Sequence, residues 1–235
     1  MLEAMAQRAE WPIRIAIVGA ESTGKTTLAA ALAQALSHGS GLRVAWVPEV
    51  LREWCEQQGR TPQAHEQAAI LHSQQARMDA AALGHEVVVC DTTPLMTAVY
   101  SRLVFGDASL DTMAVQLHRH VALTLLTALD LPWVADGHQR DGPQVREPVD
   151  SLLRSLLQSN GLPYAVVGGA GPARVVQALA AVAPLLRDHG ARPASGLFTR
   201  LTSAADAADA AHAACRQGWA CECCVGEYER ALLRP

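Results

Sequence analysis

Eight consecutive residues, Gly19-Ala20-Glu21-Ser22-Thr23-Gly24-Lys25-Thr26, fit the spacing G-x-x-x-x-G-K-[ST]. A loop of this kind wraps main-chain N–H groups around phosphate oxygens, and glycine is needed where a Cβ would block the approach. Lys25 is then in reach of the β- and γ-phosphates of a bound ATP. The Thr26 hydroxyl is a ligand for Mg2+. The phosphate-binding set on this reading is Gly19, Glu21, Ser22, Thr23, Gly24, Lys25, Thr26 and Thr27.

Two acidic positions belong to the same chemistry. Asp91 follows Glu86-Val87-Val88-Val89-Cys90, an apolar run that delivers a carboxylate at its end. There it can hold magnesium through water, take the proton of an attacking hydroxyl, or merely cap the helix that begins near Pro94. Glu49 stands after a second apolar run, where a carboxylate can accept both hydroxyls of a ribose diol or simply favour a helix N-terminus. Arg52, one helical turn on, either orients Glu49, meets a phosphate or forms a surface ion pair.

These groups need a scaffold. Strands are expected over 13–18, 42–47, 86–90, 121–126 and 164–167, and helices over 25–36, 62–83, 94–104, 109–120, 151–159 and 173–186. Strand and helix alternate about five times, which predicts an α/β domain with a doubly wound, mainly parallel five-stranded sheet and a ligand site at the strand C-terminal ends. Between 130 and 149, prolines, glycines and charges replace periodicity, so a long loop is expected there. Its arginines, Arg140 and Arg146, are candidates for a lid closing on transferring phosphate. After the fifth strand, the run Val167-Gly168-Gly169-Ala170-Gly171 is a candidate adenine cradle, with Arg174 stacking on the base, or a plain turn.

The totals narrow the partners. Of 235 residues half are hydrophobic and the formal net charge is -4, with lysines and arginines scattered. One α/β domain over 1–189 and a small extension over 190–235 account for that length. No basic stripe points to nucleic acid, and no apolar run is long enough for a signal or a membrane span, so a cytoplasmic protein acting on a small molecule is expected. In the extension, Cys215, Cys221 and Cys224 with His212 could complete a Zn2+ site, although only one C-x-x-C pair is present.

Three blocks taken together, G-A-E-S-T-G-K-T-T-L, V-C-D-T-T and L-P-W-V-A-D-G-H-Q-R, resemble the ribosylnicotinamide kinase domain of the NadR family. The resemblance covers about residues 13–187. It implies ATP-dependent phosphorylation of the 5'-hydroxyl of nicotinamide riboside, giving nicotinamide mononucleotide for NAD synthesis. Lys25, Asp91, Arg140 and Arg146 would be catalytic, with Thr26 and Asp91 at the metal. Glu49, Arg52, Trp133 and Asp136 would serve the substrate. Little chain precedes the phosphate loop, so a stand-alone kinase is expected. A pyridinium acceptor would favour an aromatic face, and Trp46, Trp54, Tyr100 and Trp133 all fall near strand ends or the lid, Trp133 being the best placed. The alternatives are a kinase of another nucleoside and a regulator that binds nucleotide without turnover.

Overall fold

The strand β1, Ile13–Val18, is buried almost throughout, with Ile15, Ala16, Ile17 and Val18 all shielded from solvent. Only a strand covered on both faces reads this way. The computed structural model, which describes residues 12–134 and 142–188, places β1 at the centre of a five-stranded parallel sheet. The other strands are β2, Val44–Val47, β3, Val87–Asp91, β4, Leu123–Thr127, and β5, Tyr164–Val167. Their order is β2-β3-β1-β4-β5.

Among the described residues seven α-helices connect and cover these strands: α1, Lys25–Ser40, α2, Val50–Gln58, α3, Gln67–Ala82, α4, Pro94–Phe105, α5, Asp111–His118, α6, Arg146–Ser159, and α7, Gly171–Asp188. Helices α1 and α7 pack together on one face, while α3, α4 and α6 pack in sequence on the other. A core cluster joins Leu71 and Met78 of α3, Leu95 and Val99 of α4, and Leu153 and Leu157 of α6 to Ala16, Val88 and Cys90 of the sheet. Both faces of the sheet are thus covered, as the alternating pattern predicts.

Register then sets the site. Ile17 of β1 lies abreast of Asp91 of β3, and Val18 abreast of Leu126 of β4. The loop after β1, the acid ending β3 and the segment after β4 therefore leave the sheet at one edge.

Three boundaries differ from expectation by more than two residues. The helix expected over 62–83 begins at Gln67, because Ala64–Glu66 form a short 3-10 turn closed by a reciprocal Gln63–Glu66 capping box. Helix α1 runs four residues past Leu36 and stops where Gly41 turns left-handed at φ 70°. Arg146, expected in a loop, is the first residue of α6, a helix whose buried stripe of Val149, Leu153 and Leu156 extends back to it.

Candidate active site

The phosphate loop is shaped by close approach to β4. Gly19 has φ +152°, and a Cβ there would meet Thr127 Oγ1 at 2.0 Å. Thr127 accounts for this crowding: its hydroxyl, with one proton to give, stands 2.7 Å from the Thr23 hydroxyl oxygen and 3.2 Å from Val18 O. Thr23 also bonds Ala20 O at 2.7 Å and is wholly buried. Its side chain therefore braces the loop, and the phosphate role expected of Thr23 falls to its main-chain N–H. Thr127 was missed in the sequence because it ends an apolar strand with no motif around it.

Lys25 opens α1 and donates to Ala20 O at 2.9 Å, folding back across the loop's own concavity. Behind it, Asp91 is 1% exposed. Burial pushes its carboxyl above the ordinary range, opposed by a hydrogen bond from Thr26 and by the charges of Lys25 and Arg52. Asp91 Oδ1 has no hydrogen-bond partner among the described residues. A buried acceptor next to a hydroxyl and an ammonium, with one lone-pair face open, fits a cation or the proton of a substrate hydroxyl. Thr26 and Asp91 are the residues that would hold Mg2+. Thr27 is exposed on α1.

Next to the loop opens a cleft with about 930 Å³ of empty space, open mouth included, lined among others by Glu21, Lys25, Glu49, Arg52, Gln67 and Tyr100. Glu21, a phosphate-loop residue by the sequence pattern, also lines this cleft and is 6% exposed. Glu49 is the N-cap residue of α2 without a side-chain cap bond of its own. Its turn is fastened from α3 instead: Gln74 Oε1 accepts from Val50 N at 2.8 Å and Gln74 Nε2 donates to Pro48 O at 3.4 Å. Neither Gln67 nor Gln74 carries a motif; a buried glutamine on an Ala-rich helix is the one signal that could have singled them out.

The aromatics divide. Tyr100 and Phe105 line the cleft. Trp54 instead carries the Arg60 guanidinium 4.9 Å above its ring, and Trp46 is 43% exposed on the edge strand β2. Trp133 is not among the lining residues; it sits beside Val134, whose main chain is bonded to Ser22 of the phosphate loop.

The Arg174 expectation is corrected. Its side chain is buried and donates to Gly169 O at 3.0 Å and to Ala128 O and Val167 O at 3.4 Å, with Asp130 at 3.4 Å. Asp130 also accepts from Gly169 N. A guanidinium enclosed by carbonyls ties the β4 and β5 exits together and offers no face for stacking on a base.

Arg146 is buried at the start of α6, with Nε and Nη2 unbonded among the described residues. Asp136 and Arg140 lie outside the described residues, as do His212, Cys215, Cys221 and Cys224. Among the described residues no cluster of metal-ligating side chains occurs and no helix is long and apolar enough to cross a membrane.

A family model described as an AAA domain matches residues 14–174, well over half the chain. The chain belongs to the AAA domain family. Solved structures similar to this AAA domain share its fold. The NadR protein in complex with NR matches with a TM-score of 0.61 at 19% identity, covering 78% of this chain and 52% of that one. This chain thus spans about half the length of that relative. Thymidylate kinase from Ehrlichia chaffeensis matches with a TM-score of 0.52 at 15% identity, over 75% of this chain and 100% of the other. Deoxyadenosine kinase from M. mycoides, solved with dCMP and a flexible dCDP, gives 0.50 at 13%, over 74% and 100%. Among curated proteins no sequence match was found. The AAA domain here therefore has a P-loop kinase fold.

Proposed function

We propose that this chain is an ATP-dependent kinase that phosphorylates the 5'-hydroxyl of a nucleoside, with nicotinamide riboside as the acceptor. The observation that carries the reading is a single cleft lined by Ser22 and Lys25 of the phosphate loop together with Glu49, Arg52 and Tyr100, and a buried Asp91 that feels both the Lys25 and the Arg52 charge. A donor side and an acceptor side share one space.

In this reading the acceptor oxygen bonds the γ-phosphorus of ATP, the bond from that phosphorus to the β–γ bridging oxygen breaks, and ADP leaves. The hydroxyl proton passes to Asp91. Lys25 exchanges Ala20 O for a phosphate oxygen, and loop N–H groups hold the others. Mg2+ at Thr26 and Asp91 would supply neutralisation of charge on the phosphates. Glu49 holds the ribose hydroxyls, Arg52 keeps Glu49 and Asp91 in register, Trp133 and Asp136 serve the substrate, and Arg146 with Arg140 serves closure of the lid. Rate then comes mainly from positioning and charge neutralisation. Residues 1–189 form the kinase domain and 190–235 an extension to it.

The test is direct. Purified full-length chain given ATP, Mg2+ and nicotinamide riboside should release ADP and nicotinamide mononucleotide in equal amounts, followed by chromatography. ATP binding without mononucleotide formation at millimolar riboside would overturn the acceptor assignment.

A further inference from the structure

Gln67 opens α3 at the wall of the acceptor cleft, is 4% exposed, and has its Oε1 buried with no hydrogen-bond partner among the described residues. Native structures rarely leave such an acceptor unmatched, and an exposed turn would let the amide swing into water. The main chain of this turn is held in place. Arg60 bonds both Glu66 carboxylate oxygens at 2.7 Å, and Glu66 accepts from Gln63 N at 2.8 Å, one residue short of the 3-10 turn that feeds α3. The chain holds an unmatched amide oxygen at the edge of a cleft.

The rest of the wall says what would match it. Tyr100 and Phe105 of α4 and Pro62 bring apolar faces to the same cleft. Flat surfaces of this kind suit a planar ring, and an amide at such a surface pairs with an edge that carries an N–H donor beside a carbonyl. Glu21 and Glu49 line the cleft together with Lys25 and Arg52, so charge does not choose between a neutral and an anionic ring substituent, and the choice falls to the hydrogen bond.

We infer that Gln67 is a specificity-determining residue: its Oε1 accepts from the N–H of an amide-bearing ring edge on the acceptor nucleoside and so selects the carboxamide over the corresponding carboxylate. This rests on the kinase reading for its substrate and goes beyond it in assigning the ring-reading residue. A site built to hydrogen-bond a donor discriminates strongly against an analogue that lacks one, because the buried acceptor is then left unpaired.

The experiment compares nicotinamide riboside with nicotinic acid riboside on wild type, Gln67→Leu and Gln67→Glu, by steady-state kinetics and by calorimetric binding to the ADP-loaded protein. Wild type should favour the amide at least tenfold. Gln67→Leu should reduce that preference to within about twofold while melting at or above the wild-type temperature, since it removes an unmatched buried oxygen. Gln67→Glu, which keeps an acceptor at that position, should restore most of the amide preference. An unchanged preference in Gln67→Leu, or no wild-type binding of the amide riboside, overturns the inference. If the amide riboside binds in a Gln67-dependent way and no phosphate is transferred, the kinase reading falls and this inference stands.

Discussion

The Ser22 hydroxyl donates to Val134 O at 2.7 Å and accepts from Val134 N at 3.1 Å, so one side chain of the phosphate loop holds both main-chain groups of a residue 112 positions away. Ser22 does this from a left-handed conformation, φ 54°, unusual for a residue with a Cβ. The segment after β4 is thereby latched to the phosphate loop, and Leu131 reaches over Gly24 beside it, within 3.2 Å of where a Cβ would stand.

Opening that latch is measurable. Ser22→Gly suits the backbone and deletes both hydrogen bonds, together worth about 1–3 kcal/mol. The Val134 amide should then exchange with deuterium at least about fivefold faster while the β1 amides stay protected. Unchanged protection at Val134 would show that the latch does not hold the segment.

Gly19 and Thr127 should behave as a coupled pair. Gly19→Ala forces a Cβ onto Thr127 Oγ1 and strains φ, so a loss on the order of 3 kcal/mol or more is expected. Thr127→Ala alone removes the hydroxyl that braces the loop and should cost about 1–3 kcal/mol. In the double variant the worst contact is gone, so the combined loss in urea unfolding should be smaller than the sum. Additive losses would contradict the geometry.

Asp91→Asn should separate stability from turnover. Burial holds the Asp91 carboxyl above its ordinary range, so a neutral isostere should leave the unfolding midpoint unchanged or raised. Phosphoryl transfer should fall by roughly 10²–10⁴-fold if the carboxylate takes the proton. Activity within a few-fold of wild type would remove Asp91 from the reaction.

His118 gives the fold a pH response. It is buried between the Thr93 hydroxyl at 3.0 Å from Nδ1 and the Thr124 hydroxyl at 2.7 Å from Nε2, and burial pushes its pKa down to about 4 from 6.5. The unfolded chain therefore binds the extra proton first. Stability attributable to His118 is complete above pH 6.5 and is lost as pH falls toward 4, by about 3 kcal/mol at most. Urea titrations at pH 7, 5.5 and 4.5 should show this slope in wild type and a flatter one in His118→Gln; equal slopes would exclude the histidine as its source.

Arg174→Met should act on stability alone. The guanidinium joins the Ala128, Val167 and Gly169 carbonyls, which methionine leaves unmet, so a loss of roughly 2–4 kcal/mol is expected. ATP affinity, measured by calorimetry on the folded protein, should change less than about threefold. A tenfold weakening with unaltered melting would return Arg174 to the nucleotide.

Periodicity and punctuation made the scaffold legible. β1, the phosphate loop and Asp91 could be placed from apolar runs ending in Gly19 and Asp91, because strand ends and glycine turns are local features. What escaped was tertiary. Thr23 looks like any loop residue until Thr127 arrives from a strand more than a hundred residues on, and Arg174 looks exposed until the β4 exit closes over it. Arg146 looks like a loop residue in the sequence because Pro148 and the charges around it mask the Val149-Leu153-Leu156 stripe that makes the segment helical. Gln67 and Gln74 carry no motif beyond standing on an Ala-rich helix, since their meaning lies in what α3 packs against.

Gln67 and Gln74 stand seven residues apart on α3, two turns along one buried stripe. A single rod thus carries the amide at the cleft wall and the amide that fastens the turn bearing Glu49. Sliding that rod to widen one side would unfasten the other, so the chamber keeps its dimensions as long as the helix keeps its register. New acceptors would be admitted by exchanging side chains on fixed walls, and the helix with its fastened turn forms a cassette that could be transplanted whole into a related scaffold.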